Sequence, residues 1–256
     1  MSAELLPPPL TPADALATRL QSAGFAVLDA VSVSQLSGIR LDDLQALTPD
    51  WDTLPPDPHL KDGGRYRCRR HWSFVLDERK AVHPVAHRAH WQPEAYNALH
   101  GGMARWFEPV LPGTADAPTW RQLLTWLGHV ADGLREPVSV AQAPGPVRWF
   151  GEAHQFRIDT ASGIGRPTPE GAHRDGVDLV AVFMVARNGI KGGETRVFAL
   201  DGPQGQRFTL TEPWSVLLMD DARVIHESTP IQPLHGVAGH RDTLVLTLRA
   251  AGFLGG

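Results

Sequence analysis

Three side chains in the second half of the chain have the types and spacing to hold a transition metal. His173 and Asp175, in Glu170-Gly171-Ala172-His173-Arg174-Asp175-Gly176, are two residues apart, so in extended backbone both leave the same side and can converge on one ion. His226 follows the apolar run 214–219 and the segment 220–225, where a neighbouring strand can supply a third ligand. Two imidazoles and one carboxylate fill one face of an octahedron and leave three positions open, a set suited to iron(II) that must also hold a bidentate organic ligand and dioxygen. Alone, His-x-Asp is a weak signal that reads first as a turn with a solvated aspartate. Arg241 shifts that balance. It opens the run Arg241-Asp242-Thr243-Leu244-Val245-Leu246-Thr247-Leu248, in which Arg241 and Thr243 share a face. A guanidinium beside a hydroxyl binds a carboxylate through charge-assisted hydrogen bonds, which suits the far end of 2-oxoglutarate. Without the other residues, Arg241 would read as an exposed arginine at a strand edge.

Elements that could position these groups are visible on both sides of them. Thr11-Pro12-Ala13-Asp14 reads as a helix start, with Leu16 and Leu20 on one stripe and Gly24 as the stop, followed by the strand Phe25-Ala26-Val27-Leu28. A second helix is expected over 34–47 and a proline- and aspartate-rich loop over 51–59. Trp120, Leu123, Leu124, Leu127 and Val130 recur at helical spacing and predict a third helix over 119–134. From Pro144 the pattern changes to short apolar or alternating runs at 147–158, 179–185, 195–200, 207–210, 215–219 and 243–248, separated by Gly, Pro and Asp. Helices first and short strands afterwards predict a mainly β sandwich or barrel with flanking α, in one domain over 1–256. Helical support would span about 1–143 and the β core about 144–252.

Composition narrows the partners. The net charge is -4, so no global basic excess attracts nucleic acid. A single cysteine, Cys68, against 12 histidines excludes an intrachain disulfide and a thiolate zinc cluster, and makes imidazole and carboxylate the natural metal ligands. The opening residues lack a basic segment followed by an apolar one, and no uncharged apolar run approaches the roughly 18 residues of a membrane span. A soluble cytoplasmic protein is expected, and a chain of this size often forms homo-oligomers, although no pattern marks an interface.

The order His173-x-Asp175, His226, Arg241-x-Thr243 among short strands resembles the double-stranded β-helix (jelly-roll, cupin-like) 2-oxoglutarate oxygenases. Within them, His173-Arg174-Asp175-Gly176, Gly192-Gly193-Glu194-Thr195 and Gly239-His240-Arg241-Asp242 are similar to the bacterial group of L-isoleucine dioxygenase-like free amino acid hydroxylases. Leu60-Lys61-Asp62-Gly63-Gly64-Arg65-Tyr66-Arg67 and the stretch from Gln92 to Gly102 extend the likeness upstream. It implies a metal triad of His173, Asp175 and His226, 2-oxoglutarate on Arg241 and Thr243, and Fe(II) and O2 as the remaining reactants. Related halogenases carry a non-coordinating residue where Asp175 stands, so its presence implies oxygenation. The implied reaction is hydroxylation of an unactivated C–H of a free, aliphatic L-amino acid, giving succinate and CO2.

Such a substrate needs a cation for its carboxylate, acceptors for its ammonium and an apolar wall. Alternation puts Arg65, Arg67 and Arg69 on one face of their run, and Gln155, Arg157 and Asp159 on one face of theirs. Arg67, Gln155 and Arg157 are the candidates for the substrate, while the first run reads equally as a charged, solvated edge strand. Glu194 reads as a strand residue after a glycine turn, the tryptophans as packing, and His154, His235 and His240 as rival ligands. Competing readings are an oxygenase of a derivatised amino acid or other small metabolite, a cupin-type metal enzyme without 2-oxoglutarate, and a non-enzymatic ligand-binding β-sandwich.

Overall fold

A computed structural model describes residues 5–135 and 147–255, so the boundary expected near Pro144 lies outside the described residues. A turn of 3-10 helix, Ala13–Ala15, runs into α1, Leu16–Ala23, which buries Leu16 and Leu20 and is capped by Gly24. The helix expected over 34–47 is two helices: α2, Ala30–Ser37, and α3, Leu41–Gln45. Asp29 starts α2 by accepting from the Ser32 amide, and Gly38 stops it at φ 70°, a left-handed conformation that a residue without a Cβ enters at little cost. Part of the segment expected as loop forms a further 3-10 helix, Thr48–Thr53, which buries Trp51. After the single turn α4, Pro112–Ala115, comes α5, Pro118–Leu134, with proline in its first turn and Trp120, Leu123, Leu124, Leu127 and Ala131 buried. Their i, i+3, i+4, i+7 spacing lays one apolar stripe against the sheet.

The strands are β1 (Phe25–Leu28), β2 (Arg67–Leu76), β3 (Val82–Pro84), β4 (Trp149–Asp159), β5 (Leu179–Asn188), β6 (Ile190–Gly192), β7 (Thr195–Ala199), β8 (Gly205–Phe208), β9 (Val216–Asp220), β10 (Val224–Ser228), β11 (Ile231–Pro233) and β12 (His240–Arg249). Seven of them form an antiparallel sheet in the order β1-β9-β5-β12-β4-β2-β3. The others form a three-stranded sheet, β10-β7-β8, and the pair β11-β6. Besides the expected strand β1, the stretch expected as helical support contributes β2 and β3, and β2 lies inside the sheet, not at a solvated edge.

Two apolar layers hold this arrangement. The outer face of the large sheet packs on the helices through residues such as Ala153, Phe183, Leu244 and Leu246 against Leu20, Val33, Trp120 and Leu124. Its inner face meets the three-stranded sheet where Val27, Met184 and Leu217 pack with Val197, Phe208 and Val224. Trp51 ties helix to sheet by donating its indole N–H to the carbonyls of Phe156 and Thr243, at 3.1 Å each. Two facing sheets with helices against the larger one are the double-stranded β-helix expected from the sequence.

Candidate active site

Residues directly opposite each other in an antiparallel ladder share a face. The register aligns Arg241 with Ile158 and Ile158 with Arg67, then Thr243 with Phe156 and Phe156 with Arg69. Those six side chains line one cavity between the sheets. From β4 the cavity also receives Glu152 and His154. Gln155 and Arg157 belong to the opposite alternation and turn toward the helices, which corrects their expected place in the pocket. Gln155 is 0% exposed, and neither amide atom has a partner among the described residues. Arg157 is committed to Asp242 through two bonds of 2.8 and 2.7 Å and to Asp52 at 2.9 Å.

His173 and Asp175 lie in a loop pinned to β10. The His173 amide donates to the His226 carbonyl at 3.0 Å and the His226 amide to the His173 carbonyl at 2.9 Å, which brings the ring centroids to 4.6 Å. Asp175 completes the group: its two carboxylate oxygens stand 3.9 Å from His173 Nε2 and 3.9 Å from His226 Nε2. All three candidate ligand atoms fall within 4.8 Å of one another. His173 Nδ1 donates to the Gly171 carbonyl at 2.9 Å, so Nε2 keeps its lone pair for an ion. Burial depresses the basicity of His226 well below the histidine range and holds it in the neutral form that ligates. At His173 burial acts in the same direction, but the charges of Asp175 and Glu170 outweigh it and raise its pKa. Two imidazoles and a carboxylate fit a divalent metal.

The loop has its own supports. Asp221 accepts from the amides of Asp175, Gly176 and Val177 at 3.0, 2.8 and 3.1 Å. Burial and the neighbouring Asp175 push its carboxyl up to about 6. Gly176 holds φ 79°, and a Cβ there would stand 2.6 Å from the Tyr96 ring. Gln92 donates to Asp175 Oδ1 at 3.1 Å, while its own carbonyl accepts from Asn97 and Arg105, both at 3.1 Å. Gln92, Asn97, Arg105 and Glu170 all line the cavity and were not anticipated as site residues. The signal that could have found two of them, Gln92 and Asn97, was the likeness of the Gln92–Gly102 stretch to the same enzyme group.

His71, His90, Glu152 and His154 form a second group with metal-ligand chemistry. Glu152 meets His90 Nδ1 at 2.8 Å, and His71 Nε2 and Arg88 at 3.4 Å each. Arg69 donates to His154 Nδ1 at 2.6 Å, so the proton of neutral His154 sits on Nε2, the atom that faces Glu152 at 3.8 Å. His154 therefore has no free lone pair for an ion there. The group acts as a collar for a buried carboxylate. Burial lowers His71 and His154 and brings His90 to about 4. Burial opposes ionisation of Glu152, but His90 and His71 overcome it and hold the carboxyl well below its usual range. The other two rival ligands stay apart: His235 is exposed, and His240 sits beside Asn188 and Asp242.

The 2OG-Fe dioxygenase family profile matches residues 48–247. This chain belongs to the 2OG-Fe dioxygenase family. Its cofactors are accordingly Fe(II), 2-oxoglutarate and O2, and the reading as a metal enzyme without 2-oxoglutarate falls away. A bsmA homolog from Methylobium petroleophilum PM1 is 53% identical, with 95% of each chain covered and a TM-score of 0.87. IDO from Bacillus thuringiensis, at 17% identity and TM-score 0.73 over 93% of this chain and 99% of that one, shares the fold. So does the Fe(II)/α-ketoglutarate-dependent dioxygenase TqaL, at 20% identity and TM-score 0.68 over 93% and 86%. No protein of curated function matches the chain. Among the described residues of this 2OG-Fe dioxygenase, no helix is long and apolar enough to cross a membrane.

Proposed function

We propose that this 2OG-Fe dioxygenase binds Fe(II) through His173, Asp175 and His226, anchors 2-oxoglutarate through Arg241 and Thr243, and hydroxylates a free, aliphatic L-amino acid. The observation that carries the reading is the meeting of both candidate sets in one cavity, the metal group from the loop and β10 and the anion group from β12. Arg241 is 4% exposed and its Nε has no partner among the described residues, so a carboxylate there would satisfy a buried cation. Bound there, Fe(II) with 2-oxoglutarate and O2 supplies an oxidant that places one oxygen atom in a C–H bond, with succinate and CO2 as the other products. The oxidant is not selective, so the protein's part is positioning.

A free amino acid suits the charges of the cavity. Guanidiniums line it at Arg67, Arg69 and Arg105, while Glu170 Oε2 is buried without a partner among the described residues and can accept from an ammonium. Val182 and Val245 supply apolar wall. Arg67, the expected substrate cation, donates its Nε to Asp57 at 2.7 Å, while its Nη2 is buried without a partner among the described residues. We further infer that the whole chain acts as one catalytic domain in the cytoplasm, consistent with its one free cysteine. The test is a screen of the proteinogenic L-amino acids for succinate formation, with mass detection of a product carrying one added oxygen atom. Turnover with at least one aliphatic amino acid is expected; Fe(II)- and 2-oxoglutarate-loaded protein that oxidises none of them contradicts the substrate assignment.

A further inference from the structure

Resting on that free-amino-acid reading, the cavity carries information about which form of the amino acid it accepts. Four arginines line it: Arg67 donates its Nε to Asp57 and keeps a buried, unpartnered Nη2, while Arg69, Arg105 and Arg241 have no carboxylate within 4 Å among the described residues. Arg69 is 3% exposed and Arg105 2%, and each has a buried Nε N–H without a partner. Leaving such donors unmatched costs about 1–3 kcal/mol each, and more for charged groups, so the site is built for an anion.

Arg69 is also rigidly placed. Its guanidinium lies 3.7 Å from the Phe107 ring centroid and 4.4 Å from that of Phe156, and one amino group is fixed on His154 Nδ1. Arg105 shares the Phe107 ring at 6.0 Å and is joined to the metal group through Gln92, which donates to Asp175. An anion held here therefore sits beside the metal centre.

That anion is not the one on Arg241. Arg241 and Thr243 flank β4 on one side and Arg67 and Arg69 flank it on the other, which sets the two anion positions two strand spacings apart, about 9–10 Å. A 2-oxoglutarate that chelates the metal with one end has a single carboxylate left to anchor. The second position belongs to the other reactant. We propose that Arg69 and Arg105 form a carboxylate subsite for the primary substrate, so that the enzyme acts on amino acids with a free carboxylate and not on their amides, esters or carrier-bound forms.

The experiment uses the Fe(II)-loaded enzyme with 2-oxoglutarate and compares each L-amino acid that supports succinate formation with its own L-amino acid amide. The amide keeps the side chain and ammonium and removes the anion. We expect kcat/KM for the amide to fall at least about 100-fold, and R69Q and R105Q to raise KM for the acid roughly 10- to 100-fold while KM for 2-oxoglutarate stays within about twofold. Amides that work as well as the acids overturn the subsite and leave the free-amino-acid reading standing. R69Q and R105Q enzymes that lose 2-oxoglutarate affinity instead overturn the assignment to the substrate. If no amino acid is turned over, the broader reading falls and this subsite with it. The acid-to-amide comparison needs only the wild-type enzyme, so it decides the question even if neither variant folds.

Discussion

At the scale of residues, the site is a small number of charges whose partners are fixed by geometry. Arg241 has a buried, unpartnered N–H in the cavity, and hydrogen bonds to charged groups are worth about 1.5–3 kcal/mol. R241A is therefore expected to raise the KM for 2-oxoglutarate roughly 10- to 150-fold, read from steady-state succinate formation; an unchanged KM would place the cosubstrate elsewhere. Gln92 donates to Asp175, the proposed metal carboxylate, without belonging to the candidate ligand set, and loss of such supports commonly weakens a metal site about 10- to 100-fold. Q92L should lower Fe(II) affinity by that order in an anaerobic titration while leaving the fold intact by circular dichroism. The candidate ligand residues could be picked out of the sequence because His-x-Asp, a later histidine and Arg-x-Thr are local patterns. Gln92, Arg105 and the Glu152 collar were not, because their roles arise from contacts across the chain, such as Gln92 with Asp175 and His90 with Glu152.

At the scale of elements, β4 and the metal loop show what periodicity can and cannot deliver. Alternation correctly separated Gln155 and Arg157 from Glu152, His154, Phe156 and Ile158, but it does not say which set faces inward. That choice is made by pairing with β12 and β2, whose Leu244, Leu246 and Phe74 pack on the helices and so turn Arg241, Thr243, Arg67 and Arg69 into the cavity. Helix α5 was read nearly to its ends, since five apolar residues at helical spacing leave little choice. The 34–47 helix was not, because the left-handed Gly38 breaks it. The metal loop depends on Gly176, where a side chain would meet both an unfavourable φ of 79° and the Tyr96 ring. G176A should weaken Fe(II) binding and cost about 1–3 kcal/mol of stability, measured by denaturant unfolding; a variant matching wild type in both would show that the loop tolerates another path.

For the whole molecule, burial of titratable groups links the site to acid stability. Burial brings His90 to about 4, against about 6.5 for an unperturbed histidine. Between these values the unfolded chain takes up a proton that the folded protein refuses, so stability held above about pH 6.5 is lost as the pH falls toward 4. The depressed carboxyl of Glu152 adds a loss in the same direction at still lower pH. The Tm of the wild-type protein should therefore drop more steeply over this window than that of H90Q; parallel profiles would mean that His90 is not held neutral. The central claim is that one cavity joins a His173–Asp175–His226 metal site to a 2-oxoglutarate anchor at Arg241. Its most direct test is an anaerobic titration of 2-oxoglutarate into Fe(II)-loaded protein, followed by the visible absorption of the iron chelate. Wild-type protein should show saturable, iron-dependent binding that H226A abolishes and R241A weakens roughly 10- to 150-fold; binding undiminished in both variants would contradict it.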